Sequence, residues 1–311
     1  MIQHRWVRFI MIEAQETELM GSLKLTSQIL RYVTNYLQDH GFLQMLPVML
    51  GRSTDPLGPD PNSSILKTIE VEYLGTTMRT MNSMILHKQV AVRDVGRIFI
   101  LSPNIRLEKA DRKASGRHLF EFTQADFEIP YGKMKDVFSL MEGLLVGLTS
   151  HIGAEGIRKV DGEPFAFKGP FRVYSTHELE ERYGEDWEYK ASMDHDQPFW
   201  ATCHRREFYD REDLENPGHY LNYDLIYPFG VGEALSGAER EYDYQRIRTR
   251  MGKDKLAMDI YASYLEEARK GFVPSAGGGF GVERLTRFLR GAAHIGDVQL
   301  FRRVPGEVPG I

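Results

Sequence analysis

The sequence predicts an α+β fold, a mostly antiparallel sheet with helices packed on it. Three observations carry that expectation. Short strands recur in hairpin-like pairs, around Gly75 and again between residues 104 and 128. Helical stretches stand between runs of strands instead of alternating with them one for one. Few connections have the strand-helix-strand form that a parallel sheet requires. The 311 residues, 42% hydrophobic and 27% charged, are ordinary for a folded protein and fit one large domain.

Residues 23 to 40, LKLTSQILRYVTNYLQDH, set Ile29, Leu30, Val33, Tyr36 and Leu37 at helical spacing, and Gly41 stops the helix. FLQMLPVML follows as a strand. Its Pro47 cannot donate to a ladder, which marks a sheet edge or a subunit contact. STDPLGPDPNSS, 53 to 64, is turn-rich. Residues 65 to 81 form a hairpin about Gly75, and SMILHKQVAV forms a short helix opened by Ser83. Two strands, 104 to 108 and 118 to 128, flank a charged hairpin tip, and an amphipathic helix follows over 133 to 150. Ser175 and Glu178 have capping-box spacing, with Gly184 as the stop. Strands separated by polar loops are expected in 198 to 236, two helices in 238 to 270, and a glycine-rich segment with a final helix in PSAGGGFGVERLTRFLRG.

Composition excludes several classes. The longest apolar runs, such as VFSLMEGLLVGL, fall short of the roughly 18 residues that span a bilayer. The N-terminus has no small-residue cleavage site, so a cytoplasmic protein without a membrane partner is expected. The single cysteine, Cys203, rules out an internal disulfide framework and a thiolate metal cluster. A net charge of -5 with no long Lys/Arg run leaves no overall electrostatic footprint for nucleic acid.

The most informative stretch is RLEKADRKASGRHLFEF, 106 to 122. Strand alternation turns Arg106 and Glu108 to one face, and on the returning strand His118, Phe120, Phe122, Gln124, Asp126 and Glu128 share a face. Buried polar groups need partners, so this face asks for a ligand with a flat apolar part, an anionic part and a cationic part. A nucleotide with an amino acid meets all three demands.

Three pieces then stand in the order of a class II aminoacyl-tRNA synthetase catalytic core. The helix and strand through Pro47 resemble that family's first motif, which implies a homodimer interface. NIRLEKADRKASGRHLFEFTQADFE resembles the second, with Arg106, Glu108, His118, Glu121 and Phe122 on its positions. GGGFGVERL resembles the third, with Gly279, Gly281, Glu283 and Arg284. The aspartyl/asparaginyl branch is nearest. TDPLGPDP, NSMILHKQ, LSPNIRLE, EFTQADFEI and NYDLI are similar to archaeal-type asparagine synthetases, tRNA-free relatives of that branch. The resemblance covers residues 22 to 311 as a catalytic domain, with 1 to 21 as an extension.

The resemblance implies ATP and Mg2+ as cofactors and assigns roles. Arg106 meets the α-phosphate, Glu108 accepts from the adenine amino group, and Phe122 stacks on the ring. Arg284 holds the γ-phosphate, with His118 beside the nucleotide. Asp224 and Glu233 match the magnesium carboxylates. Lys88 and Arg240 match cations that grip a carboxylate of aspartate, while Ser83, Gln124 and Asp126 match the group that receives the α-ammonium. A buried ammonium needs an anion, so Lys88 is expected to favour aspartate over asparagine.

Either carboxylate of aspartate can face the phosphate. Adenylation of the side chain followed by ammonia attack gives asparagine, AMP and pyrophosphate, and that aspartate-ammonia ligase is the expected activity. Another small amine as nucleophile, or a truncated synthetase that transfers the amino acid to tRNA, are the alternatives. The first catalytic helix begins near residue 23, which leaves no room for an N-terminal anticodon-binding barrel. With the acidic overall charge, this gives the expectation that tRNA is not a partner. The loop from 204 to 219 is expected to close over the site, and Arg302 and Arg303 receive no role.

Overall fold

The computed structural model describes residues 3–57, 65–204 and 207–307, and for residues 3–17 only the course of the helix. Part of the turn-rich stretch (58–64) and residues 205–206 of the expected closing loop lie outside the described residues.

One sheet of eight strands organises the fold. Across the sheet the strands run Leu43–Met45, Ile98–Ile105, Glu121–Pro130, Ser275–Gly281, Gly232–Glu239, Asn222–Tyr227, Phe199–Thr202 and Arg172–Ser175. The inner pairings are antiparallel, and the outermost pair at each edge is parallel. The α+β expectation therefore holds. Leu43–Met45 is an edge strand and ends just before Pro47, as an edge proline requires.

The first helix, Gln3–Asp39, takes in both the expected extension and the helix expected from residue 23. Its Leu25, Ile29, Val33 and Leu37 form a buried stripe against Leu140, Leu144 and Leu148 of helix Met134–His151 and Leu285 and Leu289 of helix Val282–Arg290. These helices cover one face of the sheet, where Ala125, Phe127 and Ile129 of the 121–130 strand join the same core. A second apolar cluster joins Ile85 and Leu86 of helix Ile85–Val95 to Ile247 and Met251 of Tyr244–Lys253 and Tyr264 and Ala268 of Ala262–Lys270.

Local signals place the smaller elements. Strands Glu70–Tyr73 and Thr76–Thr80 are joined through Leu74 (φ 49°) and Gly75 (φ 75°), the two positive φ values of a tight twisted hairpin. Helix Thr176–Tyr183 carries the capping box at Ser175 and Glu178 and ends at Gly184. Two boundaries differ from expectation. The first hairpin strand stops at Ile105 and the second starts at Glu121, with a 3-10 turn, Ala110–Ser115, between them. Arg106, Glu108 and His118 therefore sit on the connection beyond the regular strands, with the Arg106 N–H still bonded to the Phe120 carbonyl and Glu108 bridged to Ile65. No helix among the described residues is long and apolar enough to cross a membrane.

Candidate active site

A cleft of about 1200 Å³ opens on the sheet face opposite the three helices. Ser83, Lys88, Arg106, Glu108, His118, Phe122, Gln124, Asp126, Glu233, Arg240 and Arg284 all line it. Strand alternation explains the floor. Phe122, Gln124 and Asp126 face the cleft in line, while the alternate Ala125, Phe127 and Ile129 face the core. Gly279 pairs with Asp126, and a Cβ there would collide with the Gln124 amide and the Asp126 carboxylate. At Gly277 it would collide with Glu128. The glycines are thus required by close approach of neighbouring side chains.

One end of the cleft is cationic. Arg106 lies over the Phe122 ring at 5.2 Å and donates from Nε to the Asn82 carbonyl at 3.1 Å. Arg284 donates from Nη1 to the Glu233 carbonyl (2.7 Å) and pairs with its Oε1 (3.2 Å). Arg117 pairs with Glu188 at 2.6 Å. Positive charge remains in excess. Burial, with Arg284, Arg117, Arg112 and Arg106, pushes the His118 imidazole down to about 3. Burial, with Arg284, Arg117 and Arg158, likewise lowers Arg287 to about 10. Such a field suits a polyphosphate. Oε2 of Glu108 is buried and has no hydrogen-bond partner among the described residues, which suits an acceptor awaiting an amino group.

The other end is charge-paired. Lys88 Nζ donates to Asp126 Oδ1 (2.8 Å), the Gly278 carbonyl (3.0 Å) and the Phe127 carbonyl (3.4 Å), and lies 3.9 Å from Glu128. All three ammonium protons are engaged. Lys88 already has an anion in Asp126, so its burial by itself gives no argument against asparagine. It aims Asp126, whose buried Oδ2 has no partner among the described residues. Arg240 donates from Nε and Nη2 to the two oxygens of Glu128 at 3.1 and 3.3 Å. Burial works against the Arg240 charge, but Glu128 and Asp210 outweigh it and raise the group above its ordinary value. Its Nη1 is 3.6 Å from Asp210 Oδ1, too long for a hydrogen bond, and so has donors to offer a carboxylate.

Asp224 does not join the cleft wall. It is 4% exposed, and its Oδ2 faces His204 at 3.5 Å. Of the two expected magnesium carboxylates Glu233 lines the cleft, while Asp224 stands across the ladder from Ser236, which also lines it. Phe120 also misses it, because the regular strand begins only at Glu121. Sequence reasoning passed over Asp55, Arg117, Glu188 and Tyr209. Asp55 lay inside the quoted TDPLGPDP but was taken with the turn, Arg117 lay in the second-motif stretch without a role, Tyr209 lay in the loop expected to close over the site, and Glu188 stands in a stretch whose spacing carries no motif.

Residues 3–305 match the family of class II tRNA synthetases for D, K and N. The chain belongs to this family. The asparagine-tRNA ligase of Thermoplasma acidophilum is 25% identical over 92% of this chain and 68% of its own length. That of Streptococcus mutans is 25% identical over 97% of this chain and 70% of its own. Among solved structures, asparaginyl-tRNA synthetase of Pyrococcus horikoshii bound to asparaginyl-adenylate superposes with a TM-score of 0.82 at 24% identity, over 94% of this chain and 70% of that one. The Entamoeba histolytica enzyme with asparaginyl-adenylate gives 0.81 at 23%, over 93% and 68%. The class II fold and membership among the ATP-binding synthetase-type ligases follow. The relatives also overturn one expectation, that tRNA is not a partner: those matched over nearly all of this chain are tRNA ligases. Net charge averages over the whole surface and does not exclude a local basic face, and the position of the first helix is no test of partners.

Proposed function

We propose that this chain joins aspartate and ATP into aspartyl adenylate and pyrophosphate, and that ammonia then attacks the adenylate to give asparagine and AMP. The observation that carries the reading is the juxtaposition of two unlike ends in one cleft. Arginines in excess of their carboxylate partners, with the open acceptor of Glu108, suit a nucleotide, while the open Oδ2 of Asp126 and Nη1 of Arg240 suit an amino acid's ammonium and one carboxylate. With that carboxylate held by Arg240, the second carboxylate of aspartate is left to meet phosphorus beside Arg106, where a guanidinium stabilises the developing charge. Ser83 and Gln124 line the same end and complete the amino-acid pocket.

Magnesium keeps several waters and takes nucleotide oxygens with one or two carboxylates. Glu233 fits that demand at the phosphate end. The ion would neutralise phosphate charge there. The exposed Leu43, Leu46 and Met49 at the sheet edge beside Pro47 support a homodimer through that segment.

A second reading, transfer of the activated amino acid to tRNA, is favoured by the tRNA ligases to which the chain is similar. One experiment separates them. The chain is incubated with Mg-ATP and aspartate or asparagine, and pyrophosphate, asparagine and charged tRNA are measured with and without ammonia or tRNA. The proposal expects aspartate-dependent pyrophosphate release and asparagine only with ammonia. Activation of asparagine alone, or a product only with tRNA, overturns it.

A further inference from the structure

Asp55 is a carboxylate that the roles above leave unused. It is 4% exposed and lines the cleft. Two short chains of contacts fix it between the two ends. On the phosphate side, Asn82 donates from Nδ2 to the Asp55 carbonyl (3.0 Å) and from its backbone to Thr54 Oγ1 (2.8 Å), while its own carbonyl receives Arg106 Nε at 3.1 Å. On the amino-acid side, Tyr209 donates its hydroxyl to Asp55 Oδ1 at 3.0 Å, and Arg240 stands 6.0 Å from the centroid of that ring. The Leu57 backbone also donates to Oδ1, at 3.0 Å. Both hydrogen bonds therefore fall on Oδ1, and Oδ2 accepts from no described residue.

We propose that Asp55 Oδ2 is the proton acceptor for the amine that attacks the adenylate, an assignment that rests on the ammonia reading above. The amine lone pair forms a C–N bond to the adenylate carbonyl carbon, and the nitrogen becomes positive. It sheds one proton to Oδ2. The C–O bond to phosphorus-bound oxygen then breaks, its electron pair leaves with AMP, and the proton on Asp55 passes to solvent. A carboxylate buried between the phosphate donor and the carboxylate donor stands where that proton appears. Burial raises its acid range above the ordinary one, against Leu57, Arg106, Tyr209 and Arg240, which lower it. The ionisable groups facing it are Arg106, Arg240, Tyr209 and Tyr261.

The test uses the full chain and two rates from pH 6 to 9: aspartate-dependent ATP-pyrophosphate exchange, and asparagine formation with ammonia. Asp55→Asn is expected to slow amide formation by about 100-fold or more relative to exchange, and to lose the acid limb that remains once rates are referred to unprotonated ammonia. Hydroxylamine, which is largely unprotonated at neutral pH, should narrow that gap. If Asp55→Asn does not fold, Tyr209→Phe carries the test, with a smaller but still selective loss of amide formation. Equal loss of both rates, or loss of neither, overturns the role of Asp55 alone. Wild-type exchange with no asparagine at any ammonia concentration overturns the ammonia reading, and this inference with it.

Discussion

The two ends of the cleft treat charge in opposite ways. At the phosphate end, Arg106, Arg117 and Arg284 depress His118, and Arg117 and Arg284 depress Arg287, with Glu188 and Glu233 as partial counterweights. At the amino-acid end, Lys88 is matched by Asp126 and Arg240 by Glu128, each pair almost wholly buried. The first end stores repulsion that an incoming polyanion relieves. The second is assembled before any ligand arrives, and presents only the atoms its internal pairs leave over. Binding at the first should depend on charge, and at the second on geometry.

Breaking one internal pair should have the largest effect. Lys88→Met leaves Asp126 charged and unpaired in the core, and urea denaturation is expected to show a loss of about 3–5 kcal/mol; Lys88→Met with Asp126→Asn should recover much of it. A single mutant that melts like wild type would remove the distinction between the ends. Arg106→Ala comes next, with amino-acid-dependent pyrophosphate exchange falling by about 10²–10³-fold at saturating substrates and little change in folding stability. Glu108→Gln is smaller, with the KM for ATP rising by a factor equivalent to about 1–2 kcal/mol while the KM for the amino acid stays put.

Glu283, which ties the two motifs together, has an effect that shows only in the pH dependence of stability. Both of its oxygens accept the Thr123 N–H at 3.0 Å. Burial, against the hydrogen bonds that lower it, pushes the carboxyl up to about 7 from an ordinary 4.5. The folded state therefore holds a proton that the unfolded state releases. The resulting stabilisation is full below about pH 4.5 and is lost as pH rises through about 7. Glu283→Gln should flatten that fall, so that chemical denaturation finds its stability relative to wild type improving between pH 5 and pH 8 by on the order of 2 kcal/mol. Parallel curves for the two proteins would exclude the shift.

Much of the fold was legible because local rules and tertiary packing agree. The helical stripe of Ile29, Val33 and Leu37, the Ser175 capping box and the Gly75 turn each encode their own geometry within a few residues. The alternation of Phe122, Gln124 and Asp126 gave the cleft floor for the same reason. The ion pair of Lys88 was not legible for a different reason. A lysine in sequence shows its charge but not its partner, and the partner lies 38 residues away on another element. The contact of Asp224 with His204, from a different segment, likewise leaves no trace in strand periodicity. Asp55 was hidden by its neighbours Pro56 and Gly58, whose composition announces a turn and nothing more.

The run of glycines in Ser275–Gly281 has a consequence for how such a cleft can diversify. Gly279 and Gly281 supply only backbone there, so the relief of this part of the floor is drawn by Phe122, Gln124 and Asp126 on one flank and Ser236 on the other. A descendant that accepts a new amino acid must rewrite those letters, for the adjoining ribbon is a blank page already pressed flat against them.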